Sequence, residues 1–192
     1  MPLVIKDLSK AFGDKNIFCG FSYKFPANGV FVLVGESGRG KTTLLRIIAG
    51  LDKNYTGEVT NTHPAYAFQE YRLFPNLSAL ENVTRILYEK PNAEQVEEAK
   101  ALFSRFGFSD KEMQLYPVSL SGGMKQRVAL CRAILARTEV LLLDEPFKEL
   151  DVNLRDTLRK IIREQAKERL VILTAHSLDA LGDIEKTMID LD

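Results

Sequence analysis

The 192-residue sequence has no net charge, only two cysteines and no long apolar run. Lys and Arg number 26, and Asp and Glu also number 26, so the chain lacks the basic field that non-specific nucleic-acid binding requires. Cys19 and Cys131 have no metal-site spacing, which disfavours a metal site or a disulfide and fits a reducing cytosol. The N-terminus has no apolar signal core, and runs such as Val140 to Leu143 are far too short to span a bilayer.

Alternating strand and helix patterns predict one α/β domain over residues 1–192, and 45% hydrophobic residues suffice for its core. From about 75 to 135 the pattern turns helical, and capping-box spacings start helices at Ser78 and Asn92, which indicates an inserted helical subdomain. Residues 10–15 are predicted to form a polar loop. Strands are predicted at 3–5, 18–25, 30–34, 57–60, 65–68, 140–143, 170–174 and 188–189, with other helices starting near 42, 120, 151 and 177.

Residues 30–43 carry the central functional pattern, a buried strand followed by a glycine-rich turn and a helix. Gly35 and Gly40 to Thr42 fit G-x-x-x-x-G-K-[ST] in the required context. Backbone N–H groups at such a helix start bind anions, Lys41 is expected to reach the β- and γ-phosphates, and the Thr42 hydroxyl is expected to ligate Mg²⁺. The predicted nucleotide-binding residues here are Gly35, Glu36, Ser37, Gly38, Arg39, Gly40, Lys41, Thr42 and Thr43.

Two further elements extend this prediction. Asp144 ends a buried strand and is expected to hold Mg²⁺, while Glu145 is placed to deprotonate an attacking water. An ordinary acidic turn is the alternative. In Ser121-Gly122-Gly123, each glycine costs about 1 kcal/mol relative to alanine in a helix, which favours a phosphate contact over a flexible loop. A second anion-binding helix start implies a second molecule closing over the site.

The order of these motifs resembles the ATPase subunit of ATP-binding cassette (ABC) transporters, over nearly the whole chain. The resemblance implies a P-loop NTPase core with a mostly parallel sheet, a reduced antiparallel β-subdomain and an inserted helical subdomain. The motifs in that order are an aromatic-containing loop, Walker A at 35–42, a glutamine loop at Gln69, the signature at 120–123, Walker B at 140–144, Glu145, an aspartate loop at 150–151 and the switch histidine His176.

The resemblance also implies roles for the parts that face the base and the metal. Phe12 matches the aromatic residue that stacks on adenine, with Phe18 and Phe21 as nearby alternatives. Gln69 matches the residue that approaches Mg²⁺ and the attacking water while sensing the membrane subunit. His63 matches no motif and is interpreted as a surface residue.

The remaining roles concern the γ-phosphate. Ser121 and Gly123 match residues that bind the γ-phosphate of ATP held by the opposite subunit, and Gly122 lies between them. His176 matches the histidine that contacts the γ-phosphate and aligns the catalytic glutamate. Asp151 of the aspartate loop is placed with the nucleotide-binding residues and is also expected to cap the next helix.

These matches imply a Mg²⁺-dependent ATPase that binds ATP in a head-to-tail dimer and powers a transporter. The transmembrane permease would be a separate polypeptide, whose cytoplasmic part docks beside Gln69 along 71–82. The subunit would therefore lie at the cytoplasmic face of the cell (inner) membrane. The resemblance is to importers, which work with a solute-binding protein, and the 74–83 stretch is similar to the nitrate/sulfonate/taurine group.

Three departures from the family pattern accompany these matches. Met124 replaces the usual glutamine, Lys148-Glu149 replace small residues before the aspartate loop, and the segment before Gln69 is short. The competing functions are a soluble ABC-type ATPase acting on nucleic acid or ribosomes, a small-molecule kinase and a non-hydrolysing regulatory module. The zero net charge disfavours nucleic acid as a partner.

Overall fold

A five-stranded parallel sheet organises the chain. The structure is a computed structural model that describes residues 2–60, 62–175 and 177–191. The strand order is β5-β6-β7-β3-β8, and every pairing in this sheet is parallel, which confirms the α/β prediction. Its strands are β3 (Gly29–Val34), β5 (Ala65–Ala67), β6 (Val140–Leu143), β7 (Leu170–Thr174) and β8 (Thr187–Asp190).

Helices cover both faces of this sheet, so its central strands are apolar on both sides. Val32 of β3 faces a core cluster shared with the helical segment, whereas its neighbour Leu33 faces a second cluster. The alternation follows from the two-residue period of a strand. The helices are α1 (Lys41–Ile48), α2 (Ala79–Leu87), α3 (Ala93–Arg105), α4 (Asp110–Met113), α5 (Gly122–Leu135) and α6 (Val152–Ala166), with 3₁₀ turns at Pro117–Ser119 and Leu178–Leu181.

The starts of the helices agree with the sequence patterns. Ser78 and Asn92 each complete a capping box, at α2 and α3. Asp151 caps α6 by accepting a hydrogen bond from Leu154 N at 2.9 Å. The short helix expected from Ser177 is the 3₁₀ turn at Leu178–Leu181. Among the described residues, none of the helices is long and apolar enough to cross a membrane.

The antiparallel sheet corrects one prediction. It has the order β2-β1-β4, formed by β1 (Val4–Phe12), β2 (Lys15–Lys24) and β4 (Thr56–Val59). Residues 10–15 are therefore not a loop, because β1 continues to Phe12 and β2 begins at Lys15. The turn needs only Gly13 and Asp14, and Gly13 adopts a left-handed φ of 56° that glycine tolerates. Residues 11–16 are exposed in this hairpin, so they lack the apolar pattern that indicates a buried strand.

The functional residues gather where the parallel strands end. The carboxyl ends of parallel strands share one edge of a sheet, and ligands of open α/β folds bind there. The phosphate loop follows β3, Asp144 follows β6 and Gln69 lies two residues beyond β5. Thr174 is the last residue of β7. Four separate strands thus deliver polar side chains to one edge.

Candidate nucleotide-binding site

The phosphate loop curls around the amino end of α1. Gly35 and Gly38 adopt left-handed φ angles, and Gly40, the N-cap of α1, has a φ of 94°. A Cβ on Gly40 would lie 2.4 Å from Ile17 Cγ2, so the close packing of β2 against this turn also requires glycine there. Lys41 Nζ donates hydrogen bonds to the carbonyl oxygens of Gly35 at 2.7 Å and Glu36 at 2.8 Å. Its ammonium group therefore lies over the loop, as a phosphate-binding lysine must.

A buried carboxylate lies beside this helix start. Asp144 is 4% exposed, and its Oδ1 accepts hydrogen bonds from the hydroxyls of Thr42 at 3.1 Å and Thr174 at 2.8 Å. Its Oδ2 accepts one from the Tyr66 hydroxyl at 3.2 Å. Burial and the neighbouring Asp144 carboxylate raise the pKa of Tyr66 far above its usual value, so Tyr66 stays a donor. The oxygens of Thr42 and Asp144 form the kind of donor pair that Mg²⁺ prefers.

Glu145 is held in an unusual backbone conformation next to Asp144. Its φ is 52°, its N–H donates to Thr174 Oγ1 at 2.9 Å, and its carbonyl accepts from Gln126 Nε2 at 3.3 Å. Gln69 Nε2 donates to Glu145 Oε2 at 3.4 Å, and Lys148 Nζ lies 4.0 Å from the same oxygen. The structure thus brings Gln69 to the predicted general base.

The amino end of α5 carries the signature residues. Ser121 is the N-cap, and its Oγ accepts a hydrogen bond from Met124 N at 3.2 Å. Gly122 has a further reason to be glycine, because an added Cβ would lie 2.6 Å from Glu149 Oε2 and 3.4 Å from the Tyr71 hydroxyl. An added Cβ on Gly123 would lie 3.1 Å from the Glu149 carbonyl oxygen. The two glycines therefore make room for residues of the same chain, and the local sequence pattern does not encode these contacts.

Tyr71 and Glu149 connect the glutamine-loop segment to this helix start. The Tyr71 hydroxyl donates to Glu149 Oε2 at 2.8 Å. Partial burial and this carboxylate raise the pKa of Tyr71 to about 12. Arg132 of α5 donates to the carbonyl oxygens of Tyr71 at 3.3 Å and Arg72 at 3.1 Å. Lys148-Glu149, the departure from the family pattern, thus supplies contacts to both Glu145 and Tyr71.

The three aromatic candidates for adenine stacking differ in exposure. Phe12 is 54% exposed, and Lys10 Nζ lies 4.7 Å from the centroid of its ring. Phe18 is buried against the phosphate loop, where an added Cβ on Gly40 would lie 2.9 Å from its Cζ. Phe21 packs against Phe18 with ring centroids 5.9 Å apart. Phe12 is therefore the most exposed of the three rings.

One predicted site residue cannot be placed, and three residues without a predicted role lie in the site. His176 lies outside the described residues. Sequence reasoning assigned no role to Tyr66, Gln126 or Thr174, although all three contact Asp144 or Glu145. Their positions in the sequence could have indicated a role, because Thr174 ends a buried strand and Gln126 follows the signature.

Comparison with known proteins identifies the family. The family model described as ABC transporter matches residues 18–148. The sulfate/thiosulfate import ATP-binding protein CysA of Halalkalibacterium halodurans is 36% identical, over 98% of this chain and 58% of its own length. The aliphatic sulfonates import ATP-binding protein SsuB of Corynebacterium glutamicum is 38% identical, over 93% of this chain and 76% of its own length.

Solved structures agree with the sequence matches. A dimeric structure of MJ0796, a bacterial ABC transporter cassette, superposes with a TM-score of 0.81 at 26% identity, covering 98% of this chain and 94% of that one. A post-hydrolysis state of the same cassette, bound to ADP and phosphate, superposes with a TM-score of 0.80, also at 26% identity, and covers 97% of this chain and 94% of that one. The chain spans little more than half the length of the CysA relatives. Since the family model matches well over half of its residues, the chain belongs to the ABC transporter family.

Proposed function

We propose that this chain is a single ABC-type domain that binds and hydrolyses ATP to power import through a separate permease. The observation that carries the proposal is the contact between Thr42 and Asp144 beside a phosphate loop, with Glu145 as the next residue. Bound Mg²⁺ would neutralise charge on the β- and γ-phosphate oxygens, and Thr42 and Asp144 would hold it. The family match and the ATP-binding relatives support the same chemistry.

Each residue of the site has a distinct task in hydrolysis. Lys41 and the N–H groups of the phosphate loop bind the phosphates and stabilise charge that develops on them. Glu145 accepts the proton of the attacking water, and Gln69, which already donates to its carboxylate, orients it. Phe12 supplies a face for adenine. His176 is proposed to contact the γ-phosphate on grounds of its motif alone.

We further propose that two copies pair head to tail and complete each other's sites. Ser121, Gly122 and Gly123 at the amino end of α5 would bind the γ-phosphate of the partner's ATP, and Asp151 would lie at the same interface. The dimeric MJ0796 cassette supports this arrangement. ATP binding would close the dimer, and loss of the γ-phosphate would open it.

The permease is proposed to dock on residues 71–82. Phe74 is 50% exposed in this segment, and the buried side chain of Asn82 bonds to its N–H at 2.8 Å and its carbonyl at 3.1 Å. Asn82 Nδ2 also donates to Leu77 O at 2.9 Å, so the exposed aromatic ring is presented by a rigid loop. Docking there would place the subunit at the cytoplasmic face of the membrane, next to an importer that takes its solute from a binding protein. Relatives named as import ATP-binding proteins for sulfate, sulfonates and L-cystine support import as the direction of transport.

The proposal is tested by ATPase assays and by ATP-dependent association. Wild type should release phosphate from ATP only with Mg²⁺, and Lys41→Ala should fail to bind ATP. Glu145→Gln should lose about 100- to 10,000-fold in turnover, the usual contribution of a general base, while ATP traps it as a dimer in size-exclusion chromatography. Glu89→Gln, an exposed exchange of the same type, is the matched control. A Glu145→Gln variant with normal turnover would refute the proposed role.

A further inference from the structure

Thr174 connects the two acidic residues of the site through one hydroxyl group. The side chain is 1% exposed at the end of β7. Its Oγ1 donates its single proton to Asp144 Oδ1 at 2.8 Å and accepts the Glu145 N–H at 2.9 Å. The carboxylate next to Thr42 and the backbone of the predicted base are thereby fixed relative to each other.

The backbone of Glu145 needs such support. Its φ of 52° is a left-handed conformation that L residues adopt only when surrounding contacts determine it. Thr174 holds its N–H, and Gln126 Nε2 holds its carbonyl at 3.3 Å and that of Pro146 at 3.1 Å. Of the two residues that hold the Glu145 backbone, Thr174 is the one that also bonds to the side chain of Asp144.

The orientation of Asp144 depends on the same hydroxyl. Thr42 also donates to Asp144 Oδ1, at the longer distance of 3.1 Å, and it is itself a proposed metal ligand. Thr174 stands on β7, which lies between β6 and β3 in the sheet, and it is not among the proposed metal ligands, so its hydrogen bond would remain when a cation binds. Tyr66 fixes the other oxygen, Oδ2, at 3.2 Å.

We propose that Thr174 is a positioning residue of the ATPase site, whose hydroxyl sets the metal-binding carboxylate of Asp144 and the backbone of Glu145 in one geometry. This inference rests on the proposed function. Thr174 does not touch substrate, and it acts through its two neighbours. Outer partners of metal ligands of this kind are typically worth 10- to 100-fold in metal affinity or activity.

The test compares Thr174→Val, which keeps the shape, with Thr174→Ser, which keeps the hydroxyl. Binding of a fluorescent ATP analogue is measured with and without Mg²⁺, and turnover is measured against Mg²⁺ concentration. Thr174→Val should lose about 10-fold or more of the affinity that Mg²⁺ adds and of kcat, with unchanged binding in EDTA because Lys41 and the loop are intact. Thr174→Ser should recover most of both.

The control is Thr84→Val, because Thr84 is also buried and, within the part of the chain that the structure describes, its hydroxyl bonds to Leu80 O of its own helix α2. This variant should match wild type in both assays. If Thr174→Val does not fold, Thr174→Ala is measured in its place. Wild-type values for the Val or Ala variant, or a Ser variant as defective as Val, would overturn the inference. A wild type without Mg²⁺-dependent ATP hydrolysis would instead refute the proposed function.

Discussion

Replacing Gly122 by alanine tests whether this glycine serves the phosphate or only its neighbours in the chain. The new Cβ would lie 2.6 Å from Glu149 Oε2, so the flexible carboxylate must swing away and release the Tyr71 hydroxyl. Loss of that partly exposed hydrogen bond costs about 1 kcal/mol, and alanine in place of glycine returns up to about 1 kcal/mol of helix propensity. The free energy of unfolding should therefore change by less than about 1 kcal/mol, which limits the shift in Tm to about 2–4 °C at most.

Activity should respond far more strongly than stability. The methyl group would stand at the amino end of α5, where backbone N–H groups must approach the partner's γ-phosphate. Removing one preorganised donor of this kind costs about 100- to 1,000-fold in turnover, so Gly122→Ala should lose at least about 100-fold. Phosphate release and ATP-driven dimerisation in a Glu145→Gln background measure the two consequences, and urea unfolding measures stability.

The double variant Gly122→Ala/Glu149→Ala separates the two reasons for glycine. Removing the Glu149 side chain removes the carboxylate that crowds the new Cβ. If Gly122 only makes room for Glu149, the double variant should regain the activity of Glu149→Ala. The proposed phosphate contact predicts that it stays as inactive as the single variant. Recovery would refute the role assigned to Gly122.

Two further predictions concern stability. Lys10 is 5% exposed and donates to Asp52 Oδ1 at 2.9 Å and Asn54 O at 2.6 Å, so Lys10→Met, which removes both charge-assisted hydrogen bonds, should lower the urea-derived free energy of unfolding by about 1.5–3 kcal/mol. The raised pKa of Tyr71, about 12 against 10.0 in the unfolded chain, means that the folded state keeps its proton longer, so its stabilising effect is complete below pH 10 and is lost as the pH rises toward 12. The stability difference between wild type and Tyr71→Phe should shrink over that range, and a constant difference would contradict the contact with Glu149.

The sequence predicted the parts of the molecule that local patterns encode. The phosphate loop at Gly40–Thr42, the capping box at Ser78 and the helix cap at Asp151 each depend on residues within a few positions of one another. The strand of the phosphate loop was equally clear, because burial on both faces makes it continuously apolar. Local chemistry of this kind can be read without knowing the fold.

Contacts between distant segments could not be predicted in the same way. Thr174 reaches Asp144 across 30 positions, and Tyr71 reaches Glu149 across 78, so neither pair has a signature in the local pattern. The same limit applies to Gly122. Its position at a helix start predicts a phosphate contact, but the local pattern does not show that Glu149 packs against it. Lys148-Glu149 was recognised as a departure, and the structure gives it partners.

The most direct test of the account is the dependence of ATP hydrolysis on association. Turnover per subunit is measured over a dilution series of wild type, and sedimentation of the same samples with Mg²⁺ and ATP gives the fraction of dimer. Because each pocket is proposed to need Ser121 and Gly123 of a second copy, turnover should rise in proportion to the dimer fraction and reach a plateau. Full turnover per subunit in samples that sediment as monomers would contradict the central claim.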